Sequence, residues 1–370
     1  MRIGVIGAGA VARRSHLPAW CSLGDEAHVV ALAETHAPLA RKVAAEFQIP
    51  RWEEDYGAIL ADPAVELVDV CTPTPTHFEI ATRALAAGKH VLLEKPLALS
   101  LAETLTIYQQ AEEAQRGLCV VQNYRYMDVV RAARARLSAG ALGEVASIYG
   151  EALTRFPSSW TLNTWLYHPR AVLYDFTPHL IDLVIHLKEQ PVRRVHAVGR
   201  ECGPDAPFLV AAQLLLEFED QSTALLDTSW LGSAFSFAVN LHGTGGSCYL
   251  EPMKDVFREV HGSITPLDDV THFLRKLGNT LWGVASRSYF TKPLRVYVQF
   301  FRDFTASLNG QAPMPVRIEQ SVWTMLILDA AWESIRSGRP VETAELLAAH
   351  SLPSGLVDRL WNGCRQSAPA

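Results

Sequence analysis

The stretch Ile3-Gly4-Val5-Ile6-Gly7-Ala8-Gly9-Ala10-Val11-Ala12 decides the fold. Residues 2–7 read as a short apolar strand, and Gly7-x-Gly9-x-x-Ala12 lies between that strand and a predicted helix. Each small residue has a task in such a turn. Gly7 permits the tight bend, Gly9 lets the backbone approach a pyrophosphate, and Ala12 lets the helix pack close to the sheet. The phosphates would meet unpaired N–H groups at the helix start. Alone, the motif is also compatible with a plain strand–helix turn, so its neighbours carry the argument.

Those neighbours repeat strand and helix. Val29-Val30-Ala31-Leu32-Ala33 is a second buried strand ending in Glu34. A carboxylate there accepts hydrogen bonds from adenosine ribose hydroxyls and repels a 2′-phosphate. Thr35 and His36 follow rather than an arginine, so NAD is preferred over NADP. A helix is predicted near 37–47, a short strand near Arg51-Trp52 and a helix near 53–60. Leu67-Val68-Asp69-Val70 is the fourth strand and runs into Cys71-Thr72-Pro73-Thr74-Pro75-Thr76-His77. Its prolines favour an extended path, and Thr72 and Thr74 offer hydroxyls. His77, in the first turn of a helix over 76–87, has two readings, a cofactor contact or a packing histidine.

The fifth strand is His90-Val91-Leu92-Leu93, closed by Glu94-Lys95-Pro96. In an open parallel sheet, that end of the strand faces the ligand crevice, and proline turns the chain out of the sheet. Ser100 and Glu103 fit a capping box at the next helix. A sixth strand follows at Leu118-Cys119-Val120-Val121. Alternation from 2 to 121 implies a doubly wound parallel sheet, assigned to residues 1–122 as an α/β dinucleotide-binding Rossmann domain.

The pattern changes at Gln122-Asn123-Tyr124-Arg125-Tyr126, expected at the mouth of the crevice. Long strand-like runs then appear at 144–154, 192–200, 209–219, 222–231 and 236–242. They predict an α+β second domain over 123–370 with an open, mainly antiparallel sheet. One face of such a sheet is available for oligomerisation, so a homodimer or homotetramer is expected. Helices return near 294–309 and 317–337. Between the first two runs lies Tyr174-Asp175-Phe176-Thr177-Pro178-His179-Leu180-Ile181-Asp182. Asp175 and His179 share one face if both are helical. Proline is tolerated only in a first turn, which predicts a helix from about Phe176 with Asp175 as its cap. His179 titrates in a useful range for proton transfer, and burial against Asp182 is the equal alternative. Trp160 and Trp165 suit stacking on a sugar face, or a place in the core or a lid.

Composition narrows the partners. The 370 residues carry 33 Lys and Arg against 39 Asp and Glu, a formal charge of −6 with both signs scattered, which argues against nucleic acid. The hydrophobic fraction of 49% and charged fraction of 19% are those of a globular chain. No apolar run reaches the length of a membrane span. Strand begins directly after Met1, so no leader is expected. Six scattered cysteines without a CxxC pair fit a reducing cytoplasm, and no metal site is expected.

Taken in order, Gly7-x-Gly9-x-x-Ala12, Glu34, Cys71-Thr72-Pro73 with His77, Glu94-Lys95-Pro96, Asn123-x-Arg125 and Asp175-xxx-His179-xx-Asp182 resemble the Gfo/Idh/MocA family. The resemblance covers roughly the first half of the chain. It implies a Rossmann domain joined to an open-sheet domain, a nicotinamide cofactor, and interconversion of a secondary alcohol and a ketone on a sugar, cyclitol or related polyol. The implied cofactor residues are Gly7, Gly9, Ala10 and Val11 in the loop, with Glu34 beyond it. Cys71, Thr72, Pro73, Thr74 and His77 follow in the turn, and then Glu94, Lys95 and Asn123. The implied catalytic group is Lys95, Asp175 and His179, and Tyr124, Arg125 and Trp165 join these three toward the substrate. Where the family often has glycine two residues after the aspartate, this chain has Thr177, which affects the local backbone and pocket. Two rivals share the fold: a glycoside hydrolase that uses NAD without net redox, and a sugar-sensing regulator without chemistry.

Overall fold

The computed structural model describes residues 1–156, 168–203, 207–262, 270, 273–274, 277–278, 288–350 and 355–364. The chain divides into two units, Met1–Asn123 with Thr291–Val322, and Tyr124–Phe290 with Trp323–Ala370.

The first unit is built on β1 (Arg2–Ile6), β2 (His28–Ala33), β3 (Trp52–Glu53), β4 (Leu67–Val70), β5 (His90–Leu93) and β6 (Leu118–Val120). Their order is β3-β2-β1-β4-β5-β6, and every pairing is parallel. The strand order reverses between β1 and β4, where a doubly wound sheet opens a crevice at its carboxyl edge. Helices cover both faces of such a sheet, so its central strands are buried on both sides. All four residues of β4 are buried, including the carboxylate Asp69. The predicted capping box forms with a one-residue offset. Ser100 Oγ accepts the Glu103 N–H at 3.2 Å, and Glu103 Oε2 accepts the Leu99 N–H at 3.0 Å.

The expected single second domain over 123–370 differs from this division, because Thr291–Val322 groups with the first unit. The reason is an aromatic stripe on the helix Ser288–Leu308. Tyr297, Phe300, Phe301 and Phe304 recur at helical spacing, and the three phenylalanines are fully buried. Phe301 lies 4.3 Å from Trp20 and 5.1 Å from His16 between ring centroids. Farther along, Val316 O faces Cys119 Sγ at 3.6 Å.

The second unit carries β7 (Val145–Arg155), β8 (Val192–Cys202), β9 (Phe208–Phe218), β10 (Thr223–Ser229), β11 (Leu231–Gly243), β12 (Ser247–Glu251), β13 (Val256–Val260) and β14 (Val341–Glu342). They form one sheet in the order β13-β12-β11-β7-β10-β9-β8-β14. It is mainly antiparallel, as expected, with β7 and β10 paired in parallel. Ile148, Ala152, Ala224 and Leu226 turn to the buried face, and the helix Thr177–Lys188 packs against β7 and β10. On the other face Tyr149, Leu225 and Leu215 stand side by side across three strands and are exposed. Among the described residues no helix is long and apolar enough to cross a membrane.

Phe301→Ala removes a buried ring from the first unit although it lies far away in sequence. It is expected to cost roughly 3–5 kcal/mol, measured as a lower denaturant midpoint followed by a probe in residues 1–123.

Candidate active site

Four loops of the first unit gather at the carboxyl ends of neighbouring parallel strands. After β1, Gly7 has φ +97°, and a Cβ there would sit 2.8 Å from Cys71 O. Both facts require glycine. A Cβ on Gly9 would meet no protein atom within 4 Å, so the backbone is open to an approaching phosphate. Arg13 N–H donates to Gly9 O at 3.1 Å, closing the first helical turn. Ala12 is fully buried, and Ala10 and Val11 remain accessible. Glu34, after β2, accepts the Ala8 N–H on Oε2 and the His36 N–H on Oε1, both at 3.0 Å. Its carboxylate is thereby fixed against the glycine loop. This loop, open at Gly9 and flanked by a fixed acid, fits the diphosphate and ribose of a dinucleotide.

After β4, the turn is held by its own hydroxyls. Thr76 Oγ1 bonds Thr72 Oγ1 and Pro73 O, each at 2.8 Å. Cys71 and Thr74 are buried, while Pro73 is exposed. His77 is fully buried, with Nδ1 2.8 Å from Pro96 O and Nε2 2.9 Å from Thr72 O. Its ring thus ties the turn after β4 to the one after β5. Burial pushes the His77 ring below its usual value, against the pull of the two carbonyls.

After β5 come Glu94, buried, and Lys95, half-buried. Behind them lies a cluster that the sequence reading did not assemble. Its centre is His16. Its ring is fully buried, with Nδ1 2.9 Å from Asp69 Oδ2 and Nε2 2.9 Å from Glu94 Oε1. Trp20 Nε1 donates to Asp69 Oδ2 at 2.7 Å, and Cys71 Sγ lies 3.2 Å from His16 Nδ1. Burial works against a charged ring, yet attraction to Asp69, with help from Cys71, holds His16 well above its ordinary value. Burial and the Asp69 charge push the Cys71 thiol up to about 12. His16, Asp69 and Cys71 offer donor atoms within 4.8 Å of one another, but a protonated thiol and a carboxylate engaged by an indole are poor metal ligands. The signal that could have found this cluster is Asp69 itself, since a carboxylate inside a strand buried on both faces must have partners.

In the second unit, the helix begins one residue later than expected, at Thr177–Lys188, with Pro178 in its first turn. Phe176 holds the cap position, and Asp175 instead ends the preceding turn Ala171–Tyr174. Asp175 Oδ2 accepts the Trp230 Nε1–H at 2.9 Å. Thr177, at the position where glycine was noted as common, is fully buried; its hydroxyl donates to Val172 O at 2.8 Å and lies 2.9 Å from Thr228 Oγ1. His179 stacks flat on Tyr124, with centroids 4.2 Å apart and planes within 3°. The alternative of His179 held by Asp182 is not what forms. Asp182 instead takes a two-point ion pair from Arg125, Nε–Oδ2 at 2.8 Å and Nη2–Oδ1 at 2.6 Å. Burial pushes the Asp182 carboxyl up, with the guanidinium working against it. Arg125 is buried at 5% exposure, so its charge is spent inside the unit. Asn123 is buried at the end of the first unit. Trp160 and Trp165 lie outside the described residues, as does most of 263–287.

The model of an oxidoreductase family with an NAD-binding Rossmann fold, GFO/IDH/MocA, matches residues 1–122, and that of its C-terminal domain matches 130–249. The chain is 26% identical over 368 residues to D-apiose dehydrogenase of Paraburkholderia graminis, covering 96% of this chain and 94% of that one. It is 24% identical over 353 residues to scyllo-inositol 2-dehydrogenase (NADP(+)) IolW of Bacillus subtilis, covering 92% and 95%. The fold is that of levoglucosan dehydrogenase solved with NADH, at TM-score 0.77 and 21% identity over 93% of this chain and 99% of that one.

Asp182→Ala strips a buried guanidinium of its carboxylate. It is expected to cost roughly 3–5 kcal/mol, read from urea unfolding of the intact chain as a lower midpoint at unchanged slope.

Proposed function

The chain belongs to the Gfo/Idh/MocA oxidoreductase family, and from that premise we propose that it interconverts a secondary alcohol and a ketone on a sugar, cyclitol or related polyol, using NAD in preference to NADP. One observation carries the reading. The open glycine loop, the fixed Glu34, the Thr72 turn and Lys95 all follow parallel strands of one sheet at its carboxyl edge. Glu34 supports NAD, because a 2′-phosphate beside its carboxylate would be repelled. The loop residues Gly7, Gly9, Ala10 and Val11 would hold the diphosphate, with Cys71, Thr72, Pro73, Thr74, Glu94 and Asn123 completing the binding surface and His77, fully buried, holding the two turns together behind it.

A nicotinamide cofactor bound there supplies the hydride chemistry. The remaining work falls to side chains of this protein. Lys95 donates a hydrogen bond to the substrate oxygen and stabilises the negative charge that develops on it. His179 takes the hydroxyl proton on a ring nitrogen during oxidation and returns it during reduction. Its flat stack on Tyr124 fixes the plane in which the ring lies. Asp175 orients the substrate or the imidazole, and Tyr124, Arg125 and Trp165 shape the substrate's surroundings. The exposed row Tyr149, Leu225 and Leu215 supports assembly as a homodimer or homotetramer.

Levoglucosan, scyllo-inositol and D-apiose, each offered with NAD and with NADP, form the first test. NADH absorbance should rise with at least one of them and rise faster with NAD; silence across the panel and across further polyols sinks the redox reading. Lys95→Ala should retain NADH binding by fluorescence while turnover falls on the order of 10²–10³-fold. Wild-type turnover in that variant removes Lys95 from the chemistry. His179→Asn should lower turnover by about 10²–10⁴-fold and erase the base's ionisation from the pH–rate profile. If that ionisation survives, another group is the base.

A further inference from the structure

Within the cluster behind Lys95, His16, Asp69 and Trp20 have no part in the function proposed above, yet they reach the strand end that carries Lys95. Glu94 is a carboxylate at 8% exposure, and burial at that level demands compensating partners. One oxygen, Oε1, meets His16 Nε2 at 2.9 Å, and the other, Oε2, accepts the Lys95 main-chain N–H at 3.2 Å. Behind the imidazole stands Asp69, itself fixed by the Trp20 indole. Glu94 N–H also donates to Val70 O at 3.0 Å, which keeps the residue in register with β4.

We infer that His16, backed by Asp69, is a positioning residue: its ring fixes the Glu94 carboxylate, and Glu94 fixes the main chain of Lys95, so that the lysine is presented in one orientation. The inference rests on the role proposed for Lys95. Both ring nitrogens of His16 face carboxylates, and carboxylates accept, which favours a proton on each nitrogen. The ring is then a cation between two anions. Its companions keep their protons over the working range. Burial pushes Cys71 up to about 12 and, with the Glu94 charge, Tyr297 also to about 12. The groups that face the ring are the carboxyl groups of Asp69 and Glu94, the Cys71 thiol and the Tyr297 phenol, with Phe301 closing the apolar side.

Asp69→Asn separates positioning from mere packing. The amide keeps the shape of the carboxylate but removes the main charge supporting the imidazolium. As pH rises, the variant's ring loses its Nδ1 proton, where the introduced amide can donate in its place, and the Nε2–H that remains holds the Glu94 carboxylate as a neutral donor and no longer as a cation, which loosens that hold. Turnover of the variant, assayed with NAD and whichever of the three sugars is oxidised, should fall with rising pH and recover on acidification. At the alkaline end kcat should be lower than wild type on the order of 10- to 100-fold, with KM and NADH affinity little changed. Ring ¹⁵N signals of His16 should report two protonated nitrogens in the wild type at neutral pH and one in the variant. His16→Gln should show the same loss of kcat without the acid recovery, and it serves as the second variant should Asp69→Asn fold poorly. A wild-type pH profile in Asp69→Asn overturns the inference, as does wild-type kcat in His16→Gln. A turnover loss in step with melting, with no recovery in acid, also overturns it. If Lys95→Ala is fully active, the reading of Lys95 itself fails; if Lys95→Ala is dead while His16→Gln is fully active, only the positioning role fails.

Discussion

A carboxylate sits inside a strand of the parallel sheet that is buried at every residue, and the first unit is arranged to satisfy it. Desolvating an unpaired anion costs far more than one domain's net stability, so Asp69 must be compensated locally. The Trp20 indole and the His16 ring supply that compensation. The ring, once charged, needs a second anion, and Glu94 provides it. The four residues come from three places: His16 and Trp20 from the helical segment after the glycine loop, Asp69 from β4, and Glu94 from the end of β5. The charge chain therefore pins together the elements whose loops form the crevice edge. Its low-dielectric surroundings make each link stronger and each omission costlier.

Sealing that cluster requires apolar mass, and the chain delivers it from far downstream. Phe301 and Tyr297 close over His16 and Trp20 from the helix Ser288–Leu308. A helix with an aromatic face at positions 297, 300, 301 and 304 announces that it is buried, but not against what. Hydrophobic periodicity gives the face and not the partner. For that reason the existence of this helix was legible in the sequence, and its membership in the first unit was not.

The glycine loop, Glu34 and the lysine after β5 were legible because each answers a local demand. A positive φ with a carbonyl 2.8 Å away admits only glycine at position 7, and a strand end fixes where Glu34 and Lys95 emerge. Asp69, Trp20 and His16 answer a tertiary demand, and their hydrogen bonds span 49 to 78 residues. Sequence spacing holds no trace of such pairs. Asp175 shows the intermediate case. Pro178 correctly placed a helix start, yet a proline suits either of the first helical positions, so the cap shifted by one residue to Phe176 and left Asp175 to meet Trp230.

Thr177 closes the comparison between local and tertiary demand. Glycine at that position would give the backbone latitude between two short helical segments. Threonine gives instead a hydroxyl, which bonds Val172 O in the preceding turn and the Thr228 hydroxyl on β10. The segment bearing Asp175 and His179 is thus anchored to the sheet by a side chain where freedom of the main chain would otherwise prevail. With His179 lying flat on Tyr124 and Asp182 held by Arg125, the helix start is fixed on three sides. A proton-transfer residue gains from that rigidity, because general catalysis by a side chain depends first on where its nitrogen is held and only then on its ionisation.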